Sequence, residues 1–248
     1  MDYGEIAGIL GIDVEKDREA ARILDKLVGD SNKKFNLKII RKLIKDQSVI
    51  VFGAGPSLGK DVGRIKAEGL SEKCTLIAAD GAAKALLEKN MIPDINVTDL
   101  DGDMDAVLKA NESGTVTLVH AHGDNMEGII KYVPEFKGVI FGTTQIPGNV
   151  ETFKNIYNFG GFTDGDRCVF LAKYFNAKVI ALAGMDFGSV IGEYSGTYNL
   201  GFKLKKMEIA KKLLAEISAE NKVFNLTCGG EDLMNIPKIT VSGFKKIA

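Results

Sequence analysis

Residues 48–103 read SVIVFGAGPSLGKDVGRIKAEGLSEKCTLIAADGAAKALLEKNMIPDINVTDLDGD, and the order of patterns in this stretch decides the fold. Three short runs, SVIVF, CTLIAA and INVT, are rich in apolar and β-branched residues, and segments of helical periodicity separate them. The first two runs do not alternate apolar with polar residues. A strand that is apolar on both sides is covered on both sides, and strands joined by helices run parallel, because a parallel pair needs a long crossover. The stretch therefore predicts strands at SVIVF, CTLIAA and INVT, with helices from Pro56 to Glu68, at AAKALLEKN and around MDAVLKA.

Toward the C-terminus the same unit recurs through TVTLVH, GVIFG, KVIALAG and VFNLT. Residues 47–248 are accordingly read as one α/β domain with a doubly wound, mostly parallel, Rossmann-like sheet. Toward the N-terminus the pattern changes. Ile23, Leu24, Leu27 and Val28, then Leu37, Ile40, Leu43 and Ile44, recur at intervals of three and four, so residues 1–46 are read as a helical N-terminal extension without strands. No solenoid repeat, low-complexity linker or composition break interrupts the chain after residue 47.

A hydrophobic content of 45% over 248 residues is enough for a substantial core and excludes a disordered or fibrous chain. Lys and Arg number 32 against 33 Asp and Glu, so the net charge of -1 supplies no broad field for gripping nucleic acid or an anionic membrane. An acidic ligand has to be held by local chemistry. Cys74, Cys168 and Cys228 lie far apart with no CxxC pair, which points to a reducing compartment. The acidic start MDYGEIAGILGID lacks the pattern of a signal peptide, and no apolar run approaches the roughly 18 residues of a membrane span. The expectation is a cytoplasmic protein without nucleic-acid or membrane partners; homo-oligomerisation stays open.

In open α/β sheets ligands bind beyond the carboxyl ends of the strands, so the residues that follow each run are the ones to read for chemistry. After SVIVF comes Gly53-Ala54-Gly55-Pro56-Ser57, a glycine loop entering a helix, where backbone N–H groups and the Ser57 hydroxyl can meet an anion. It matches neither phosphate-loop pattern: Ala54 and Asp61 break the Walker spacing, and Leu58 breaks GxGxxG. The alternative is a tight turn. After CTLIAA comes Asp80-Gly81. After INVT comes DLDGDMD, in which Asp99 and Asp101 form a D-x-D able to join a magnesium ion to phosphate oxygens, while Asp103 also suits the N-cap of the next helix. TVTLVH runs into His120-Ala121-His122-Gly123-Asp124, where a His-x-His pair can bind a transition metal and Asp124 suits either magnesium or a helix cap. In GGFTDGDRC, Thr163, Asp164 or Asp166 can cap a helix, and Arg167 in its first turn can reach a phosphate. The lysine-rich KLKKMEIAKK reads mainly as a solvated helix face, with one lysine over the crevice as the alternative.

ADG followed by PD and then a D-x-D resembles the metal-binding core of thiamine pyrophosphokinases. GAGPSL, VTDLDGD, HAHGDN, GGFTDGDR and GMDFG, in that order over about residues 47–230, resemble more closely the archaeal 6-hydroxymethyl-7,8-dihydropterin pyrophosphokinase family. DLDGD stands here in place of DFDS, and no β-rich C-terminal half of the thiamine type is evident. The resemblance implies a magnesium-dependent diphosphotransferase that moves the terminal pyrophosphoryl group of ATP to a reduced pterin alcohol and releases AMP, in tetrahydromethanopterin or folate-type biosynthesis. It further implies Asp99, Asp101 and Asp124 as catalytic residues, with Asp80 joining them as metal ligands. Gly53, Gly55, Pro56, Ser57, Asp80, Gly81 and Arg167 become nucleotide contacts. Phe162 and Phe187 suit either a pterin ring or the core. A glycosyltransferase holding a nucleotide sugar through D-x-D, and a non-catalytic nucleotide-binding module, are the alternatives.

Overall fold

A computed structural model of the protein describes residues 1–30, 36–188, 190–195, 200–218 and 222–248. Three helices, α1 (Tyr3–Leu10), α2 (Val14–Asp30) and α3 (Lys38–Ile44), precede the first strand. The chain then alternates: β1 (Ser48–Phe52), α4 (Leu58–Ala67), β2 (Thr75–Ala79), α5 (Ala82–Glu88), β3 (Ile95–Thr98), α6 (Met104–Glu112), β4 (Val116–Ala121) and α7 (Met126–Tyr132). The remainder holds β5 (Ile140–Thr144), β6 (Ile156–Tyr157), α8 (Asp164–Tyr174), β7 (Val179–Ala183), α9 (Leu200–Ser218), β8 (Val223–Asn225) and α10 (Val241–Lys245). Every residue of β1 to β5 and of β7 is buried, which is why their sequences need no polar alternation.

Among the described residues eight strands join one sheet in the order β6-β5-β4-β3-β2-β1-β7-β8, and every pairing in it is parallel. From β1 the chain steps outward through β6, then returns across the sheet to lay β7 on the other side of β1. β1 and β7 therefore flank the switch point of the sheet, and in folds of this kind ligands bind beyond the carboxyl ends of the strands there. The ladder continues into the loops that follow β1 and β7, where Gly53 N–H donates to the Ala183 carbonyl at 2.9 Å and Gly55 N–H to that of Gly184 at 2.8 Å.

Helix α8 lies across β1, β2 and β3 on one face. Ile40 and Ile44 of α3 and Leu214 and Ile217 of α9 complete the apolar layer there. The other face is covered by α4, α5 and α10, and further along by α2, α6 and α7. Helices α2 and α3 thus share the core of the sheet. Helix α2 contacts β4, β5 and β6, and its Ala20, Ala21 and Leu24 are fully buried; full burial of one leucine contributes about 1.5–3 kcal/mol. Among the described residues no helix is long and apolar enough to cross a membrane, and all three cysteines are free.

Candidate active site

A cavity of roughly 450 Å³ opens beyond the carboxyl ends of β1, β2, β3 and β7. Its lining includes Gly53, Gly55, Pro56, Asp80, Asp99, Asp101, Asp124 and Arg167. On its floor the carboxylates of Asp80, Asp99 and Asp101 come together, each offering an oxygen within 4.8 Å of the others. They do so because β2 and β3 are neighbours and end level with one another. The D-x-D is not the extended pair that strand alternation suggests. The strand ends at Thr98, and Leu100 takes a left-handed φ of 69°, which turns the chain between the two acids. Asp80 also sits at positive φ, 43°, with its Oδ1 accepting the Thr98 hydroxyl at 2.6 Å. Its other oxygen lies where a Cβ on residue 102 would be only 2.2 Å away, so the DLDGD turn needs glycine there.

Burial and the charge of Asp99 push the Asp80 carboxyl up to about 6. Asp101 is the exposed member of the three, and partial burial of its carboxyl with the charges of Asp99 and Asp80 raises it to about 8. Asp99 goes the other way: burial opposes its ionisation, but the hydrogen bond and charge of His122, with Lys206 behind, outweigh it and hold the carboxyl low. His122 Nε2 stands 3.3 Å from Asp99 Oδ2, whereas Asp99 Oδ1 is buried without a hydrogen-bond partner. Crowded carboxylates with an unused buried oxygen fit a hard divalent cation, which takes oxygen ligands and relieves their repulsion.

Other expected residues stand apart from the three-carboxylate group. Asp124 borders the cavity but is exposed and stands outside the three-carboxylate group. It does not cap α7 either; that position belongs to Asn125, whose amide donates to the carbonyls of Asp99 and His120, both at 2.7 Å. Ser57 and Gly81 lie outside the lining. The Ser57 hydroxyl is occupied by Asp61 and Asp186, each at 2.9 Å, which ties the glycine loop to the loop after β7. His120 is buried and bonded through Nδ1 to Thr143 at 3.0 Å, and neither histidine belongs to a three-ligand group among the described residues. Phe187 lines the cavity, whereas Phe162 is a buried core residue.

The cavity also contains side chains that the sequence did not name as site residues. Thr163 and Asp166 form the capping box of α8, so Asp164 is spare and faces the acidic floor, with Oδ1 buried and without a hydrogen-bond partner. Burial and the charges of Asp99 and Asp80 raise its carboxyl well above the usual range, against the pull of Arg167. Two lysines of α9, Lys203 and Lys206, also line the cavity, one helical turn apart. Asp186, from the loop after β7, lines it as well.

The fold and crevice define an α/β protein with an acidic site at the switch point of a doubly wound sheet. The family model described as 6-hydroxymethylpterin diphosphokinase MptE-like matches residues 27–192, and the chain belongs to that family. A 6-hydroxymethyl-7,8-dihydropterin pyrophosphokinase of Methanocaldococcus jannaschii is 45% identical over 221 residues, covering 86% of this chain and 91% of the relative. Proteins of the same description from Methanothermobacter thermautotrophicus and Pyrococcus furiosus are 44% and 39% identical, covering 78% and 86% of this chain and 79% and 89% of their own. Among solved structures, a Maf glycosyltransferase of Magnetospirillum magneticum AMB-1 superposes with a TM-score of 0.55 at 14% identity. The match covers 90% of this chain but 39% of that one, and the likeness is one of fold.

Proposed function

We propose that the protein is a cytosolic diphosphotransferase that moves the terminal pyrophosphoryl group of ATP to the hydroxymethyl oxygen of 6-hydroxymethyl-7,8-dihydropterin and releases AMP. The observation that carries this reading is the convergence of Asp80, Asp99 and Asp101 at adjoining strand ends, in a chain of this family. These three would hold magnesium, which neutralises phosphate charge and orients the polyphosphate.

The remaining work falls to the chain's own side chains. Lys203, Lys206 and Arg167 surround the acidic floor with positive charge and suit the outer phosphate oxygens. The glycine loop 53–56 brings backbone to the cavity, and Met185, Phe187, Val190 and Ile191 supply an apolar wall for a flat ring. In the reaction the alcohol oxygen bonds to the β-phosphorus, and the bond from that phosphorus to the bridging oxygen of the α-phosphate breaks. AMP leaves, and the alcohol proton passes to solvent at the rim.

The test is to incubate the protein with ATP, magnesium and, in separate reactions, the reduced pterin alcohol, thiamine or a nucleotide sugar with an alcohol acceptor. Equal amounts of AMP and pterin diphosphate, dependent on magnesium, are expected. Transfer from the sugar nucleotide without ATP, or no AMP with the pterin, rejects the proposal.

A further inference from the structure

Outside the cavity, a buried carboxylate on α2 gathers donors from three distant parts of the chain. Asp17 is 2% exposed. Its Oδ1 accepts the Gly123 N–H at 2.7 Å, and its Oδ2 accepts the Tyr3 hydroxyl at 2.6 Å and Gln145 Nε2 at 2.5 Å. Gln145, buried at the end of β5, accepts Arg167 Nη2 through Oε1 at 2.8 Å. Arg167 lines the cavity, with Nη1 3.9 Å from Asp164 Oδ1.

The order of groups in this row matters. A carboxylate only accepts hydrogen bonds, a guanidinium only donates, and an amide between them satisfies both in one orientation. Asp17 draws the Gln145 NH2 toward α2 and so leaves its oxygen toward Arg167. With the amide reversed, NH2 would face guanidinium and oxygen would face carboxylate, leaving both buried contacts unsatisfied. The second branch works through backbone. By holding Gly123, Asp17 also fixes the neighbouring His122, whose ring meets Asp99 on the cavity floor.

We infer that Asp17 is a positioning residue of the active site, setting Arg167 through Gln145 and the His122 loop through Gly123. The inference rests on the reading that the cavity binds a nucleotide polyphosphate. It gives the N-terminal helices a part in ligand binding as well as in the core. Side chains that hold a site's contact residues in place commonly alter affinity or activity when removed.

The experiment exchanges the two groups. Asp17→Asn, Gln145→Glu and the double variant are compared with the wild type for Mg-ATP affinity by calorimetry, for KM and kcat, and for melting temperature. Each single variant mismatches the row and is expected to weaken Mg-ATP binding by about tenfold or more. In the double variant the amide now at position 17 donates to the carboxylate now at position 145, which accepts from Arg167, so affinity is expected to return to within about threefold of wild type. Wild-type affinity in Asp17→Asn, or a double variant no better than the product of the singles, overturns the inference. Gln145→Met removes the relay while keeping the contacts of Asp17 to Gly123 and Tyr3. Its affinity must fall as well, so unchanged binding there overturns the Arg167 branch even if Asp17→Asn does not fold. A wild-type protein that fails to bind Mg-ATP overturns the reading of the cavity instead.

Discussion

Replacing Asp80 by asparagine separates the stability cost of the acidic floor from its use. Asp80 is 6% exposed, and its carboxyl is raised from 3.8 to about 6 by burial and by Asp99. At about 1.4 kcal/mol per pH unit, the ionised form burdens the metal-free fold by up to about 3 kcal/mol. Neighbouring acids share this burden, so one substitution should recover about 1–3 kcal/mol. The sign follows from the raised value. Below pH 3.8 Asp80 is protonated folded or unfolded and costs nothing; the penalty grows as pH rises through about 6 and is complete above it. An asparagine side chain at this position keeps an oxygen for the Thr98 hydroxyl and tolerates the left-handed backbone. Without metal, Asp80→Asn should therefore melt about 2–10 °C above wild type at pH 8 and level with it near pH 4. Magnesium at a hundred times its Kd should stabilise the wild type by about 2.7 kcal/mol and the variant far less, while turnover falls by about a hundredfold. Thermal melts across pH, with and without magnesium, measure both effects. A variant less stable than wild type at pH 8, or an equal response to magnesium in both proteins, would refute the reasoning.

Asp101→Asn should lower kcat by about a hundredfold without loss of melting temperature, and wild-type turnover would remove Asp101 from the machinery. Lys206→Gln should raise the KM for ATP by about tenfold with a smaller change in kcat, and Lys206→Arg should restore most of it; initial-rate kinetics decide. Leu24→Ala should cost about 2–5 kcal/mol in denaturant unfolding, because this side chain is fully buried against the sheet. A Cβ on residue 55 would lie 2.2 Å from Asp186 Oδ2 and 2.6 Å from the Gly184 carbonyl, so Gly55→Ala should displace the loop and weaken Mg-ATP binding, as calorimetry would detect.

The apolar runs made most of the sheet legible. SVIVF, INVT and KVIALAG became strands because their residues are covered on both faces, and burial of that kind leaves a local trace in composition. Strand β6 left none, since two residues are too few to show a period. The rule that strand ends carry the chemistry led to Asp80, Asp99, Asp101 and Asp124, of which the first three come together. Asp164 and Lys206 were harder, as both lie on helices whose rotation about their axes is fixed only by packing. One signal was present: Thr163 and Asp166 already satisfy a capping box, leaving Asp164 without a local task. Asp17 could not be read at all. Its partners Gly123 and Gln145 lie 106 and 128 positions away, and no local pattern records such an encounter.

The adjacency of β1 and β7 bears on when the catalytic crevice can come into being. Val49 pairs with Ile180, so the two central strands meet only after more than half the polypeptide has emerged between them. Closing so large a loop is slow, because its entropy is lost before any long-range contact compensates it. Gly184, Met185 and Asp186, which follow β7, line the cavity, so its walls are complete only once that long-range pairing has formed.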